Sequence, residues 1–266
     1  MWTHLLADKV PHFGRVARAT RWRRVRGRPR VWAHRGASAL EPENTLAAFA
    51  QAKADGADGV ELDVRCDASG VVVVFHDDDL VRLCGRTGSM ESLSSSERAE
   101  VRVREHHAIP TLAEALAAIA PLEVNVELKT PVFARPSGLP AAAARVIRQS
   151  GAAPRVLVSS FDPVALLQFH AACPEVAIAF LFHQDQRWPV RAGWAGRLLG
   201  PAALHPDRAL CTAARVAAWQ RAGYAVNVWT VNEPAEVQRL AALGVDGIFT
   251  DDPGATLALL AAGTAR

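Results

Sequence analysis

The sequence predicts an α/β fold, a (β/α)8 TIM barrel with a short insertion after the third strand, and three observations predict it. From residue 31 onward, short runs of β-branched and aliphatic residues alternate with alanine-rich stretches at helical spacing, the pattern of β/α units around a parallel sheet. Nine strand candidates fall within the roughly 236 residues from position 31 to the end, close to the size of one such barrel. With 50% hydrophobic residues the chain can bury one large core. The chain therefore divides into a basic N-terminal arm, residues 1–30, and a single barrel domain, residues 31–266, with the insertion at about 77–110.

The first strand candidate, "RVWAH" (30–34), leads through Gly36 to the helical stretch "NTLAAFAQAKADG", where Asn44 is the expected N-cap and the last glycine marks the end. "GVELDV" (59–64) alternates apolar and acidic residues. "VVVVFH" (71–76) follows so soon that only twelve residues separate Asp63 from His76, too few for a crossover helix and another parallel strand. The chain is expected to run down and back up there. Residues 77–110 are polar and charge-dense, and read as an insertion on the catalytic face. Then come "TLAEALAAIA", "EVNVELK" (123–129), "PAAAARVIRQSG", "RVLVSS" (155–160), "VALLQFHAAC" and "VAIAFLF" (176–182). The series closes with "AALH" (202–205), "AVNVWTV" (225–231), "PAEVQRLAALG" and "GIFTD" (247–251). Nine candidates for eight barrel positions leave one in excess, and "AALH" is the weakest.

Charge is unevenly distributed. Residues 1–30 carry nine Lys and Arg against Asp8 alone, so the remainder, with 21 basic and 26 acidic residues, is mildly acidic. The arm has no apolar run of the length that a secretory signal or a membrane span needs. Its arginines are expected to decorate a solvated arm, and the alternative is peripheral contact with an anionic membrane surface. Nucleic-acid binding is not expected, because the rest of the chain lacks interleaved aromatic and basic residues. Cys66, Cys84, Cys173 and Cys211 are scattered, with no C-x-x-C pair, which argues against zinc, redox and disulfide frameworks and fits a reducing cytoplasm.

In such barrels the reactive groups sit at the C-terminal ends of the strands. His34 and Arg35, Glu61 and Asp63, His76 and Asp77, Glu127 and Lys129, and Asn227 and Trp229 all fall there. Glu61 and Asp63, two apart on a strand, share one face, and Glu127 adds a third acid. Converging carboxylates repel unless a cation neutralises them, and hard oxygen donors without cysteine suit Mg²⁺ or Ca²⁺, with Mn²⁺ also admissible. The alternative is a purely structural network with Arg35 and Lys129. Lys129 is one of only three lysines among 30 basic residues, and on the face of Glu127 its ammonium suits a phosphate oxygen. His34 and His76, ending two different strands, suit an acid-base pair. His183 and His205 follow late strands and are left open as substrate contacts; His4, His12, His106, His107 and His170 receive no role.

These residues resemble the glycerophosphodiester phosphodiesterases, a metal-dependent barrel family similar to the phosphatidylinositol-specific phospholipases C. The resemblance covers nearly all of residues 31–254, through "AHRGASALEPENTLAAF", "GADGVELDVRCDASGVVVVFHDDDL", "IPTLAEAL", "NVELK", "SSF", "VWTVN" and "GVDGIFTDDP". It implies that His34 and His76 are catalytic, that Glu61, Asp63 and Glu127 hold one divalent cation, and that Arg35 and Lys129 bind phosphate. Trp229 is implied as a wall against the glycerol carbons, and Glu43 and Asn44 as residues that order the first loop beside the substrate. The implied reaction is hydrolysis of a small-molecule glycerophosphodiester to sn-glycerol 3-phosphate and an alcohol. Two alternatives are lysophospholipase D-like hydrolysis of membrane lysophospholipids and a non-catalytic phosphoester-binding protein. One departure stands out: where the family commonly has arginine followed by two threonines, this chain has Arg82, Leu83 and Cys84.

Overall fold

The computed structural model describes residues 19–25, 27–130, 138–186 and 199–264. It opens with β1 (Arg30–Ala33), α1 (Leu46–Ala54) and β2 (Gly59–Cys66). A short β3 (Val72–Val74) returns antiparallel to β2, with Val64 opposite Val74. The insertion follows: the single-turn α2 (Val81–Cys84), α3 (Ser95–Glu100), and the paired two-residue strands β4 (Arg102–Val103) and β5 (His107–Ala108). Alternation then resumes with α4 (Leu112–Ile119), β6 (Glu123–Leu128), α5 (Leu139–Gln149), β7 (Val156–Ser160), α6 (Pro163–Ala172) and β8 (Ala177–Phe182). β9 (Ala203–Pro206), α7 (Ala213–Arg221), β10 (Ala225–Val228), α8 (Pro234–Ala242), β11 (Gly247–Thr250) and α9 (Pro253–Thr264) complete it.

Eight strands form the parallel ring in the order β1-β11-β10-β9-β8-β7-β6-β2, and pairing of β1 with β2 closes it. This is the expected (β/α)8 barrel, with one exchange among the strands. The excess candidate is "VVVVFH", whose β3 lies outside the ring, while "AALH" is the barrel strand β9. The first helix also differs from expectation in one respect. Its N-cap is Thr45, whose side chain accepts from the Ala48 amide, whereas Asn44 is turned to the site by a left-handed φ of 59°. Other helix starts are written locally, as in the reciprocal capping of Thr111 with Glu114 at α4 and Asp162 before Pro163 at α6.

Alternation along the strands sorts the side chains. On β2, Val60, Leu62 and Val64 join the outer core against the helices, leaving Glu61 and Asp63 to the interior. The interior core is aromatic: Trp32 stacks with Trp22 at 6.0 Å between centroids and with Phe249 at 5.8 Å, beside Leu157, Ala179, Ala203 and Ala225. Gly59 makes room for that indole, since a Cβ there would lie 2.5 Å from the Trp32 ring. The insertion has a small core of its own, including Phe75, Leu80, Leu83, Met90 and Val103.

Trp22, Arg28 and Arg30 correct the expectation of a solvated arm. Trp22 is only 2% exposed, and Arg30 donates to Glu123 at 2.5 Å and to the Arg21 carbonyl at 2.9 Å. Arg28 pairs with Asp58 at 2.6 Å. These residues close the floor of the barrel because an indole buried on Trp32 and guanidinium groups with nearby acids gain more there than in water. Residues 1–18 lie outside the described residues. Among the described residues no helix is long and apolar enough to cross a membrane.

Candidate active site

Three carboxylates meet at the C-terminal end of the barrel. The β2–β6 register sets Asp63 beside Glu127, and Glu61, Asp63 and Glu127 each offer an oxygen within 4.8 Å of the others. Burial and then the charges of Asp63 and Glu127 push the Glu61 carboxyl well above the usual range. Burial acts in the same direction on Asp63, but Lys129 and Arg35 outweigh it and hold that carboxyl well below the range. Asn44 is buried beside it, donating Nδ2 to Asp63 at 2.9 Å. Glu61 Oε2 accepts from the Arg35 amide at 2.9 Å, while its buried Oε1 has no hydrogen-bond partner among the described residues. Three hard oxygen donors with one buried, unpartnered oxygen fit a divalent cation.

Both histidines are fixed by carboxylates. His34 Nδ1 lies 2.6 Å from Asp251, which also accepts from Ser38 at 3.1 Å and Asn232 at 2.6 Å. His76 Nδ1 lies 2.7 Å from Asp77. With Nδ1–H donating to a carboxylate, each Nε2 is left to exchange protons. Burial would raise both aspartates, but hydrogen bonds from Arg82 and then His76 pull Asp77 down to about 2, and the bond with His34 lowers Asp251.

The backbone turn after β1 presents one cation, Arg35, and the end of β6 presents the other, Lys129. Arg35 takes a left-handed φ of 57°, and Gly36 follows at 85°, where a Cβ would lie 2.6 Å from that of Ala48. The Arg35 guanidinium approaches Asp63 at 3.3 Å and donates to Glu43 at 2.7 Å. Lys129 Nζ lies 2.7 Å from Glu127 and 3.3 Å from Asp63. Burial would lower the lysine, but Asp63 and Glu127 raise it, so it is a fixed positive charge.

His34, Arg35, Glu61, His76, Glu127, Lys129 and Trp229 line one cavity of about 110 Å³, and Asp63 lies beneath it, 1% exposed. Glu43, expected at the substrate, is not on that wall; its oxygens are taken by Arg35 and Arg82. Trp229 donates Nε1 to the His205 carbonyl at 2.7 Å and meets Phe161 edge to face, 5.4 Å between centroids. His205 also lines the cavity, fully buried; burial pushes it down to about 3, so it is neutral and accepts at Nε2 from Asn227 at 3.1 Å. A wider cavity of about 710 Å³, lined by residues that include His76, Asp77, Arg82, Lys129 and Phe161, adjoins the same groups. The sequence assigns no role to Asp251, Arg82 or Phe161, and places Asp77 at a strand end without one. The motifs "FHDDD", "SSF" and "FTDDP" carry all but Arg82, yet nothing local marks which acid of a run faces a histidine.

Such a site can bind an anion against Arg35 and Lys129 and pass protons on two sides of it. The family model for the glycerophosphoryl diester phosphodiesterase family matches residues 34–255. A glycerophosphodiester phosphodiesterase of Caldanaerobacter subterraneus subsp. tengcongensis is 32% identical over 243 residues, covering 88% of this chain and 98% of the relative. One from Bacillus altitudinis is 32% identical over 240 residues, covering 84% and 95%. Among solved structures, an Oleispira antarctica phosphodiesterase in complex with the product sn-glycerol-3-phosphate superposes with a TM-score of 0.77 at 30% identity, covering 88% of this chain and 97% of that one.

Proposed function

This chain belongs to the glycerophosphoryl diester phosphodiesterase family, and we propose that it releases sn-glycerol 3-phosphate from a glycerophosphodiester with His34 and His76 as its acid-base pair. It is a glycerophosphodiester phosphodiesterase; the division of labour within the site is our reading. The observation that carries it is the convergence of two carboxylate-backed imidazoles, two fixed cations and three acids around one small cavity. The product bound by the Oleispira antarctica structure supports the same substrate class.

Arg35 and Lys129 orient the phosphate and offset the negative charge that builds on its oxygens in the transition state. One imidazole takes a proton from the attacking oxygen as it bonds to phosphorus. The other gives its proton to the alcohol oxygen as that bond breaks, so the pair ends with its protonation exchanged. Trp229 and Phe161 shape an apolar wall of a size that suits a glycerol backbone and holds bulk water off the reacting centre. Glu61, Asp63 and Glu127 are the residues that would hold a divalent cation, Mg²⁺, Ca²⁺ or Mn²⁺, which supplies further charge stabilisation at the phosphoryl oxygens when bound.

The test is a panel of glycerophosphodiesters, with choline, ethanolamine, glycerol or inositol as the alcohol, assayed for sn-glycerol 3-phosphate with each cation and with chelator. Release that chelator stops, and that one of the cations restores, is expected. Absence of release from every member overturns the reading, and full activity in chelator overturns the role given to the three acids.

A further inference from the structure

One residue of the insertion touches both halves of this machinery. Arg82 directs Nε and Nη2 at the two oxygens of Asp77, at 2.7 and 2.8 Å, and Nη1 and Nη2 at the two oxygens of Glu43, also at 2.7 and 2.8 Å. Behind those acceptors, Asp77 Oδ1 holds His76 Nδ1 and Glu43 Oε1 holds Arg35 Nη1, each at 2.7 Å. A single guanidinium therefore spans the carboxylate that fixes an imidazole and the carboxylate that fixes the phosphate-facing arginine.

Three roles fit a cation in that place, and the geometry separates them. An ordinary surface ion pair contributes little, and Arg82 is 45% exposed; but Glu43 and Asp77 are only 15% and 18% exposed, and the contact is two-pronged on each. A substrate anion ligand needs free donors, and Arg82 does line the wider cavity. A guanidinium has five N–H groups, however, and the four bonds above engage four of them, leaving one on Nη1. What remains is orientation. Leu83, the next residue, is buried in the insertion's own core, so α2 is anchored on one side by packing and on the other by the two acids.

We propose that Arg82 is a positioning residue for the reaction: docking of the insertion through this guanidinium locks Asp77 behind His76 and Glu43 behind Arg35, holding the acid-base and phosphate-binding groups in register. The inference rests on the hydrolytic function given above. It also gives the departure at Leu83 and Cys84 a simple meaning, because the clamp uses the arginine and an apolar anchor and needs no hydroxyl beside them.

The experiment measures sn-glycerol 3-phosphate release by the unaltered enzyme, Arg82→Ala, Arg82→Lys, Asp77→Asn and the Asp77→Asn/Arg82→Ala pair, with melting temperatures in parallel. Arg82→Ala is expected to lower kcat roughly 10- to 100-fold, the range seen when a group that orients a functional side chain is removed. Arg82→Lys is expected to recover little, since one ammonium cannot span both carboxylates. Millimolar guanidinium ion is expected to restore part of the activity of Arg82→Ala and none of that of Arg82→Lys. The pair is expected to be slower than Asp77→Asn by less than the factor that Arg82→Ala costs alone, because the His76 arm is already released and only the Glu43–Arg35 arm remains to be lost. Unchanged kcat in Arg82→Ala overturns the clamp while leaving the hydrolytic function in place. A loss that follows the melting temperature and does not respond to guanidinium overturns it too. If the unaltered enzyme releases no product, the hydrolytic function falls and the clamp falls with it.

Discussion

His34 and His76 are each backed by an aspartate, but the two aspartates keep different company. Asp77 also faces the Arg82 guanidinium, whereas the remaining donors to Asp251 are the neutral Ser38 and Asn232. Asp251 therefore presents its charge to His34 with little competition, and its role is to hold the tautomer in which Nδ1 carries the proton. Asp251→Asn leaves the shape intact but offers that nitrogen an amide that can donate as well as accept, so the imidazole can turn over or change tautomer. The expected outcome is a fall in kcat/KM of roughly 10- to 100-fold with the circular dichroism spectrum unchanged. A variant as active as the unaltered enzyme would remove Asp251 from the site. The limit of the sequence at this scale is visible in the same pair. His34 was legible because a histidine ending a barrel strand is chemically conspicuous, while its partner lies 217 positions away. No local pattern tells Asp251 from Asp252, since the choice is made where β1 and β11 lie side by side.

At the scale of the element, strand geometry explains both what was legible and what was not. The alternation of β2 placed Glu61 and Asp63 on one face, and the third acid follows from the neighbouring register of β6. β9 reads poorly because "AALH" has no β-branched residue. Its interior position Ala203 is small because Trp22, Trp32 and Phe249, supplied from elsewhere, fill that layer. β3 reads strongly for its valines, yet the short link from β2 compels an antiparallel return. The same β2–β6 pairing has an energetic consequence. It forces together three carboxylates whose mutual repulsion is relieved by Arg35 and Lys129 but still leaves Glu61 with a raised affinity for a proton. Glu61→Gln keeps an acceptor for the Arg35 amide and removes one buried charge. It is expected to stabilise the cation-free protein by on the order of 1 kcal/mol, a rise of about 2–4 °C in Tm for a domain of this size. It is also expected to abolish activity and the further rise in Tm that a divalent cation produces in the unaltered protein. A lower Tm in chelator would show that the three acids are not in electrostatic conflict, and an undiminished response to cation would remove Glu61 from the cation site.

Over the whole molecule, the two ends of the barrel are separate in purpose. The C-terminal ends of the strands carry the groups assigned to the proposed chemistry, and the opposite end is sealed by residues that composition places in a solvated arm. Counting charges could not distinguish Arg28 and Arg30, which reach Asp58 and Glu123 across the floor, from arginines in solvent. The informative residue was the tryptophan among them, since an indole in a basic run is poorly matched to water unless something covers it. Trp22 fills the interior against Trp32, and Arg21 lies over its ring at 5.4 Å. If the floor is a structural closure, Trp22→Ala should cost about 3–5 kcal/mol, the usual range for emptying a buried aromatic site. That corresponds to a fall in Tm on the order of 10 °C. Trp22→Phe should recover part of the loss. Below the transition, kcat and KM of Trp22→Ala should match those of the unaltered enzyme, because Trp22 itself is not on the wall of the cavity that the histidines and acids line. Thermal melts and steady-state kinetics on the same preparations decide the matter. A Tm within a degree or two of the original would return residues 19–25 to the solvent, and a stable protein with altered kcat would mean that the floor communicates with the mouth through the Trp32 and Phe249 stack.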